Sequence, residues 1–143
     1  MKGKTKMRNL KTNVVAVVAL LLVAVFCLAS CNKIEAEGLW ETATYRKDVT
    51  VGEGSKEVKV EVVIDEQSIV ITLKTDKAKL GDAMFAEGLI NNATFFDELN
   101  GIKADWNKDK AYWAIYAGDE YMMVGVNDIE ISGGERYRFV YTK

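Results

Sequence analysis

The stretch VKVEVVIDEQSIVITLKT (58–75) decides the fold of this chain. Its apolar side chains recur at every second position in both halves, at Val58, Val60, Val62 and Ile64 and then at Ile69, Ile71 and Leu73. A period of two with β-branched side chains is typical of half-buried strands. The polar residues DEQ (65–67) between the halves are typical of a short turn. The stretch therefore predicts a β-hairpin with one buried face.

A helix is predicted immediately after the hairpin, in KLGDAMFAEGLINN (79–92). Asp82 stands where an N-cap belongs, helix-forming residues follow it, and Gly88 or Asn91 provides a stop. The pattern favours one helix of two to three turns at about 82–90. Its sheet-facing residues are predicted to be Ala83, Met84 and Ala86.

Further strands are predicted on both sides of this unit. AYWAIYA (111–117) and RYRFVYT (136–142) have strand composition, and YMMV (121–124) returns from a turn at 118–120. The final strand has Tyr137, Phe139 and Tyr141 on one face, which favours an interior position. LWETATYRKDVTV (39–51) is predicted to be extended, FFDELNGIKAD (95–105) contains an Asn-Gly turn, and WNKDK (106–110) is predicted to be a polar turn.

The order of these elements predicts the fold class. A hairpin, one helix and then three or more strands favour an α+β fold. The order ββ-α-βββ is that of a β-grasp, with a mixed or antiparallel sheet and one short helix packed on one face.

The aromatic strand at 111–117 contains the candidate binding residues. Alternation places Trp113 and Ile115 on one face and Tyr112 and Tyr116 on the other. Because one helix covers only one face of the sheet, two interpretations of the tyrosines remain open. They either pair with neighbouring strands or form, with Met122 or Met123, an exposed platform for recognition. The candidate ligand-binding residues are Tyr112, Trp113, Tyr116 and Met122, with Trp113 bracing the strand.

Several chemistries are excluded by composition. The chain has no His, and its two cysteines are Cys27 and Cys31, so histidine-based catalysis and Cys or His metal clusters are not expected after residue 31. Asp105, Asn107 and Asp109 have the opening spacing of a calcium loop, but the glycine and the final glutamate that such a loop requires are missing. The carboxylate pairs at 119–120 and 128/130 are frequent by chance among 21 acids. We therefore expect no catalytic residues, no metal site, no cofactor and no enzymatic activity.

The amino terminus indicates export. Five basic residues lie within positions 1–11, residues 14–29 are apolar, and LASC (28–31) follows. LASC resembles the lipobox of bacterial lipoproteins, and this resemblance implies cleavage after residue 30 and acylation of Cys31. The alternative is an uncleaved anchor helix. In both cases the remainder is expected at the extracytoplasmic face of the bacterial cell membrane.

The exported part is then divided into a lipidated cysteine with a short polar tether (31–37) and a single domain (38–143). Five of the 19 basic residues precede the cleavage site and all 21 acids follow it, so the exported part has a net charge of −7. Such a balance argues against nucleic acid as a partner.

Four segments together resemble the transcobalamin-like C-terminal domain family. They are LGDAM (80–84), NGIKADW (100–106), YWAIYAGDEYMMVGVNDIEI (112–131) and GGERYRFVYT (133–142), and the resemblance covers about residues 40–143. It implies a β-grasp module. In transcobalamin and intrinsic factor the similar domain closes over cobalamin together with a larger helical domain. No helical partner is expected within this sequence, and Gly118-Asp119 replaces the commoner Asn-Gly turn.

The sequence thus predicts a lipid-anchored, non-catalytic binding module. The resemblance implies a small flat or hydrophobic ligand, such as a corrinoid. The alternative is a structural or adhesion module that docks another cell-surface protein through an exposed sheet face or edge.

Overall fold

The predicted hairpin forms strands β2 (Lys56–Ile64) and β3 (Gln67–Thr75) in the computed structural model, which describes residues 33–143. The two strands are antiparallel, with Val60 opposite Ile71 and Val62 opposite Ile69. Every apolar residue predicted to face inward in this hairpin is buried. The turn is two residues long, and Asp65 adopts a left-handed conformation there (φ 52°). The predictions for the signal peptide, the lipobox and Cys31 lie outside the described residues.

Six strands form one mixed sheet in the order β1-β3-β2-β8-β6-β7. The remaining members are β1 (Val49–Gly52), β6 (Tyr112–Ala117), β7 (Glu120–Tyr121) and β8 (Arg136–Thr142). The β1/β3 and β2/β8 pairs are parallel and the other pairs are antiparallel. The interior position predicted for the final strand is confirmed, because β8 lies between β2 and β6. The predicted return strand at 121–124 is shorter than expected and ends at Tyr121.

A second, two-stranded ribbon consists of β4 (Glu98–Leu99) and β5 (Ile102–Lys103). Its turn is the predicted Asn-Gly pair, in which Asn100 and Gly101 both have positive φ. Asn100 is fully buried and bridges to the amino-terminal segment. Its Oδ1 accepts a hydrogen bond from the Tyr45 N–H (2.9 Å), and its Nδ2 donates to the Tyr45 carbonyl (2.8 Å).

The main helix α1 (Leu80–Ala86) begins two residues earlier than predicted, and its N-cap residue is Lys79 rather than Asp82. The earlier start places Leu80, Gly81, Ala83 and Met84 in the core, whereas Ala86 is exposed, contrary to the prediction. The helix ends before Gly88, whose positive φ (65°) terminates it as expected.

The polar turn predicted at 106–110 is a single helical turn instead, α2 (Trp106–Asp109). Asp105 is its N-cap, and its carboxylate accepts hydrogen bonds from the main-chain N–H groups of Asn107 (3.0 Å) and Lys108 (3.1 Å). The capping side chain explains why a short helix forms here.

The amino-terminal segment also differs from its prediction. Residues Gly38–Thr42 form a 3₁₀ turn, and only Val49–Gly52 is a strand. Ile34, which was assigned to the tether, is buried, and its N–H donates to the Arg46 carbonyl (2.6 Å). The compact unit therefore begins at Lys33. Burial of Ile34 and Trp40, with Leu39, Ala43 and Tyr45 partly buried beside them, holds this segment against the domain.

The loop before β8 is stabilised by Glu135. Its carboxylate accepts hydrogen bonds from the main-chain N–H groups of Ser132 and Gly133. Partial desolvation acts to raise the pKa of Glu135, but these donors and the nearby Lys56 hold it below its ordinary value. The negative charge of Glu135 is thus coupled to the folded loop.

The predicted fold class is confirmed: the domain is α+β, with a β-grasp-like mixed sheet and one main helix on one face. Across residues 33–143, no helix is both long enough and apolar enough to cross a membrane.

Candidate functional site

The four residues predicted to bind a ligand lie on two opposite faces of the sheet. Tyr112 is 39% exposed and Tyr116 is half-buried on the open face, away from α1. Trp113 is 7% exposed and lies on the helix-covered face, where Met122 is also half-buried against the core. The predicted division of β6 into two faces is therefore confirmed, and the four side chains do not form a single site.

Trp113 is held from two sides. Its Nε1 donates to the Ile102 carbonyl (3.3 Å), and its ring meets Tyr141 edge-on with 5.4 Å between ring centroids. Burial raises the pKa of Tyr141, and the carboxylates of Asp109 and Asp105 raise it further. The hydrogen bond to Ile102 and the contact with Tyr141 fix the position of the Trp113 ring.

The Tyr116 ring is covered by protein neighbours. The Arg138 guanidinium lies 5.3 Å from the ring centroid, and Tyr121 packs against the ring in a T-shaped arrangement at 5.5 Å. Such cross-strand contacts stabilise a sheet. This geometry favours the interpretation of Tyr116 as part of the sheet rather than of a free platform.

Tyr112 lies at the other end of β6. Its ring meets Trp106 edge-on (6.2 Å), and Lys110 lies over the same indole ring (5.3 Å). Tyr112 therefore belongs to an aromatic cluster with α2 and does not contact Tyr116.

A more exposed apolar surface lies at two loops that each contain a pair of identical residues. In Phe95-Phe96 and in Met122-Met123, one residue packs inward and its neighbour is displayed. Phe96 lies 6.0 Å from Phe139 between ring centroids, and Met122 packs on the core. Phe95 and Met123 are each 87% exposed.

These loops surround a shallow depression of about 320 Å³. Trp113, Ile115 and Val126 contribute buried side chains to it. Its exposed apolar rim, here called the loop surface, consists of Phe95, Met123 and Val124. A cluster of displayed apolar side chains around a depression is typical of a binding site.

Local contacts fix the shape of the loop surface. The Asn92 side-chain oxygen accepts hydrogen bonds from the N–H groups of Thr94 (2.8 Å) and Phe95 (3.1 Å), which sets the turn that presents Phe95. At Gly81 of α1 the two loops approach so closely that a Cβ would lie 2.6 Å from the Ala93 carbonyl and 3.1 Å from the Asn127 nitrogen. The loop surface is therefore preorganised.

Sequence reasoning missed Phe95 and Val124 and gave Met123 only as an alternative to Met122. The available signal was the pairing of identical apolar residues, Phe95-Phe96 and Met122-Met123, in two short loops. Which member faces outward depends on the tertiary packing.

Metal-binding and acid–base clusters are not apparent in the part of the chain that the structure describes. Within residues 33–143, no group of three or more Asp, Glu, His or Cys side chains is arranged to hold an ion. The carboxylates at 119–120 and at 128/130 are exposed to solvent.

The sequence matches no protein-family model and no curated protein. Among solved structures, the fold is similar to a proposed metal-binding protein from Ruminococcus gnavus ATCC 29149, with a TM-score of 0.57 and 21% identity. The match covers 62% of this chain and 98% of that chain. Haptocorrin in complex with Cbi (cobinamide) is also similar, with a TM-score of 0.43 and 19% identity over 65% of this chain and 26% of haptocorrin. At this identity, the first match establishes that the chain shares the fold of the Ruminococcus gnavus protein.

Proposed function

We propose that this protein is a non-catalytic binding module that holds a small flat or apolar ligand on its loop surface. The observation that carries the proposal is the display of Phe95 and Met123, each 87% exposed, beside a depression that Trp113 helps to form. Covering one such side chain stabilises a complex by about 1.5–3 kcal/mol. We assign these two displayed side chains as the anchors of the ligand, and their preorganised loops lower the cost of ordering on binding.

The shape of the depression supports a capping role. Its volume of about 320 Å³ is at the lower end for small-molecule sites, about 300–1,000 Å³. It is shallow, so it fits one face or edge of a ligand and does not enclose it. A corrinoid, the ligand class that the sequence resemblance implies, has a broad flat face of this kind.

We further propose that the module is anchored by lipid at the extracytoplasmic face of the bacterial membrane. The basic start of the chain, the apolar segment and the LASC sequence ending at Cys31 support this location. Intact-mass measurement of the membrane-extracted protein tests it, because an acylated chain beginning at Cys31 is expected. A chain that still begins at Met1 would contradict the anchor.

Ligand binding is tested by thermal shift of the full-length protein in neutral detergent with cobinamide, a heme and an apolar dye. A ligand that binds the folded state raises the melting temperature. We expect Phe95→Ser and Met123→Ser to remove most of the shift while leaving the unliganded melting temperature nearly unchanged. Tyr112→Ser is the matched control, because it removes an exposed aromatic residue from a different surface.

The outcomes separate the candidate surfaces. A ligand shift that survives both loop variants and disappears in Tyr112→Ser would reject the loop surface and support the open face.

The second candidate function, docking of another cell-surface protein, is favoured by the shallowness of the depression. It predicts that the loop variants lose a purified protein partner while no small molecule changes the melting temperature.

A further inference from the structure

The open face of the sheet carries a second surface, independent of the loop surface. Two adjoining depressions of about 450 and 260 Å³ share Arg136 and extend from β1 to the turn after β6. Their central residues, here called the polar trough, come from four neighbouring strands: Thr50, Lys59, Glu61, Thr72, Arg136 and Arg138. α1 covers the opposite face, so this surface is accessible to a ligand.

Cations are concentrated in the middle of the polar trough. Lys59 lies directly opposite Arg136 in the β2/β8 register, and neighbouring strands are about 4.8 Å apart. Arg138 follows on the same face of β8, about 7 Å further along. Like charges opposite each other destabilise a sheet, so the Lys59/Arg136 juxtaposition does not itself stabilise the fold, whereas Arg138 lies opposite Glu61.

One carboxylate compensates only part of this charge. Glu61 accepts hydrogen bonds from the Arg136 guanidinium at 3.0 Å and 3.3 Å. Within residues 33–143, neither Lys59 nor Arg138 forms an ion pair. The middle of the polar trough is therefore positive, although acids outnumber bases in the domain as a whole.

We propose that the polar trough binds an acidic glycan, with carboxylate or sulfate groups held by Lys59, Arg136 and Arg138. Charge complementarity supports an anionic occupant, and charge-assisted hydrogen bonds to guanidinium groups are among the strongest available. The hydroxyls of Thr50 and Thr72 line the same surface and bond sugar hydroxyls.

The rest of the lining disfavours other polyanions. Asp48 and Asp119 lie at the two ends of the trough, where they repel the regularly spaced phosphates of a nucleic acid. Protein interfaces are typically anchored by aromatic side chains together with Arg, and within residues 33–143 the trough is lined mainly by charged and hydroxyl side chains with no aromatic residue. A hydroxyl-rich chain with separated acidic groups fits both its middle and its ends.

The test is isothermal titration of full-length protein in neutral detergent with hyaluronate, chondroitin sulfate and uncharged dextran. We expect binding of at least one acidic glycan and none of dextran. Binding should weaken as NaCl is raised from about 50 to about 300 mM, because salt screens exposed charges. The two acidic probes distinguish carboxylate from sulfate recognition.

Two variants locate the site. Lys59→Gln/Arg138→Gln should weaken binding at least about tenfold, the effect of losing one strong charge-assisted contact. Lys103→Gln/Lys108→Gln changes the net charge equally on other elements and should bind like the parent. The double variant also loses the contact between Arg138 and Tyr116, which could disturb folding. The single variant Lys59→Gln keeps that contact, and it should also weaken glycan binding.

Three results would overturn the proposal: no binding of either acidic glycan, equal binding of dextran, or equal weakening by the Lys103/Lys108 control. Phe95→Ser should leave glycan binding unchanged. The glycan-binding proposal and the proposal for the loop surface can therefore be rejected independently of each other.

Discussion

Replacement of Gly81 by alanine tests how the loop surface is held. Gly81 is the second residue of α1 and lies where the two loops converge on the helix. A Cβ built there would lie 2.6 Å from the Ala93 carbonyl oxygen, whereas ordinary van der Waals contact begins at 3.4 Å. The loop that displays Phe95 would therefore have to move by about 0.8 Å.

Two effects of opposite sign decide the magnitude. Alanine stabilises a helix relative to glycine by up to about 1 kcal/mol. Overpacking a tight contact costs about 1–3 kcal/mol, and here the contacted atoms are main chain and cannot rotate away. We expect a net loss of about 1–2 kcal/mol in the free energy of unfolding, or about 5–10 °C in melting temperature.

Urea unfolding of the full-length protein measures this loss. Ala86→Gly is the matched control, since Ala86 is exposed on the same helix and reports helix propensity without a packing change. The loop displacement should also reduce the ligand-induced thermal shift. If Gly81→Ala is as stable as the parent or more stable, and the ligand shift is unchanged, the convergence of the loops on Gly81 does not hold their shape.

Three further predictions concern stability. Asn100→Ala leaves the Tyr45 main-chain N–H and carbonyl without partners and should cost about 2–4 kcal/mol in urea unfolding; a loss below about 1 kcal/mol would contradict this bridge. Because the pKa of Glu135 is lowered in the folded state, its contribution is present above its ordinary pKa of 4.5 and is lost as pH falls through the folded value. Glu135→Gln should therefore lose less stability than the parent between pH 7 and pH 3, and parallel pH profiles would refute the coupling. Phe96→Ala should cost about 2 kcal/mol, and Phe95→Ala should cost less than about 0.5 kcal/mol, by thermal unfolding; equal losses would show that the assignment of inward and outward residues is wrong.

The sequence alone was sufficient for elements with a strong period. The β2/β3 hairpin, the final strand and the two faces of β6 were predicted correctly because alternation of apolar residues reports directly which side chains face a core. The existence of the helix was also predictable, but its start was not. Leu80 and Gly81 enter the helix because they pack against other elements, and this packing outweighs the capping preference of Asp82.

The apolar residues of the amino-terminal segment show no regular alternation along the sequence. This explains why an extended strand was predicted at 39–51 and why Ile34 was placed in the tether. Ile34 and Trp40 are buried by contacts with residues that are distant in sequence, and a local pattern cannot report such contacts. For the same reason the single turn α2 was not predicted, since its four residues are too few to show a helical repeat.

The candidate binding site could likewise be predicted only in part from the sequence. The absence of His, and of Cys after residue 31, argued against histidine-based catalysis and Cys or His metal clusters. The alternation of residues along β6 placed Trp113 on one face of the sheet and the tyrosines on the other. Only the tertiary structure could decide that Arg138 and Tyr121 cover Tyr116, and that Phe95 and Met123 are displayed while Phe96 and Met122 are packed. Neighbouring residues of identical chemistry are indistinguishable in the sequence, and the contacts that bury one and expose the other are made by strands far along the chain.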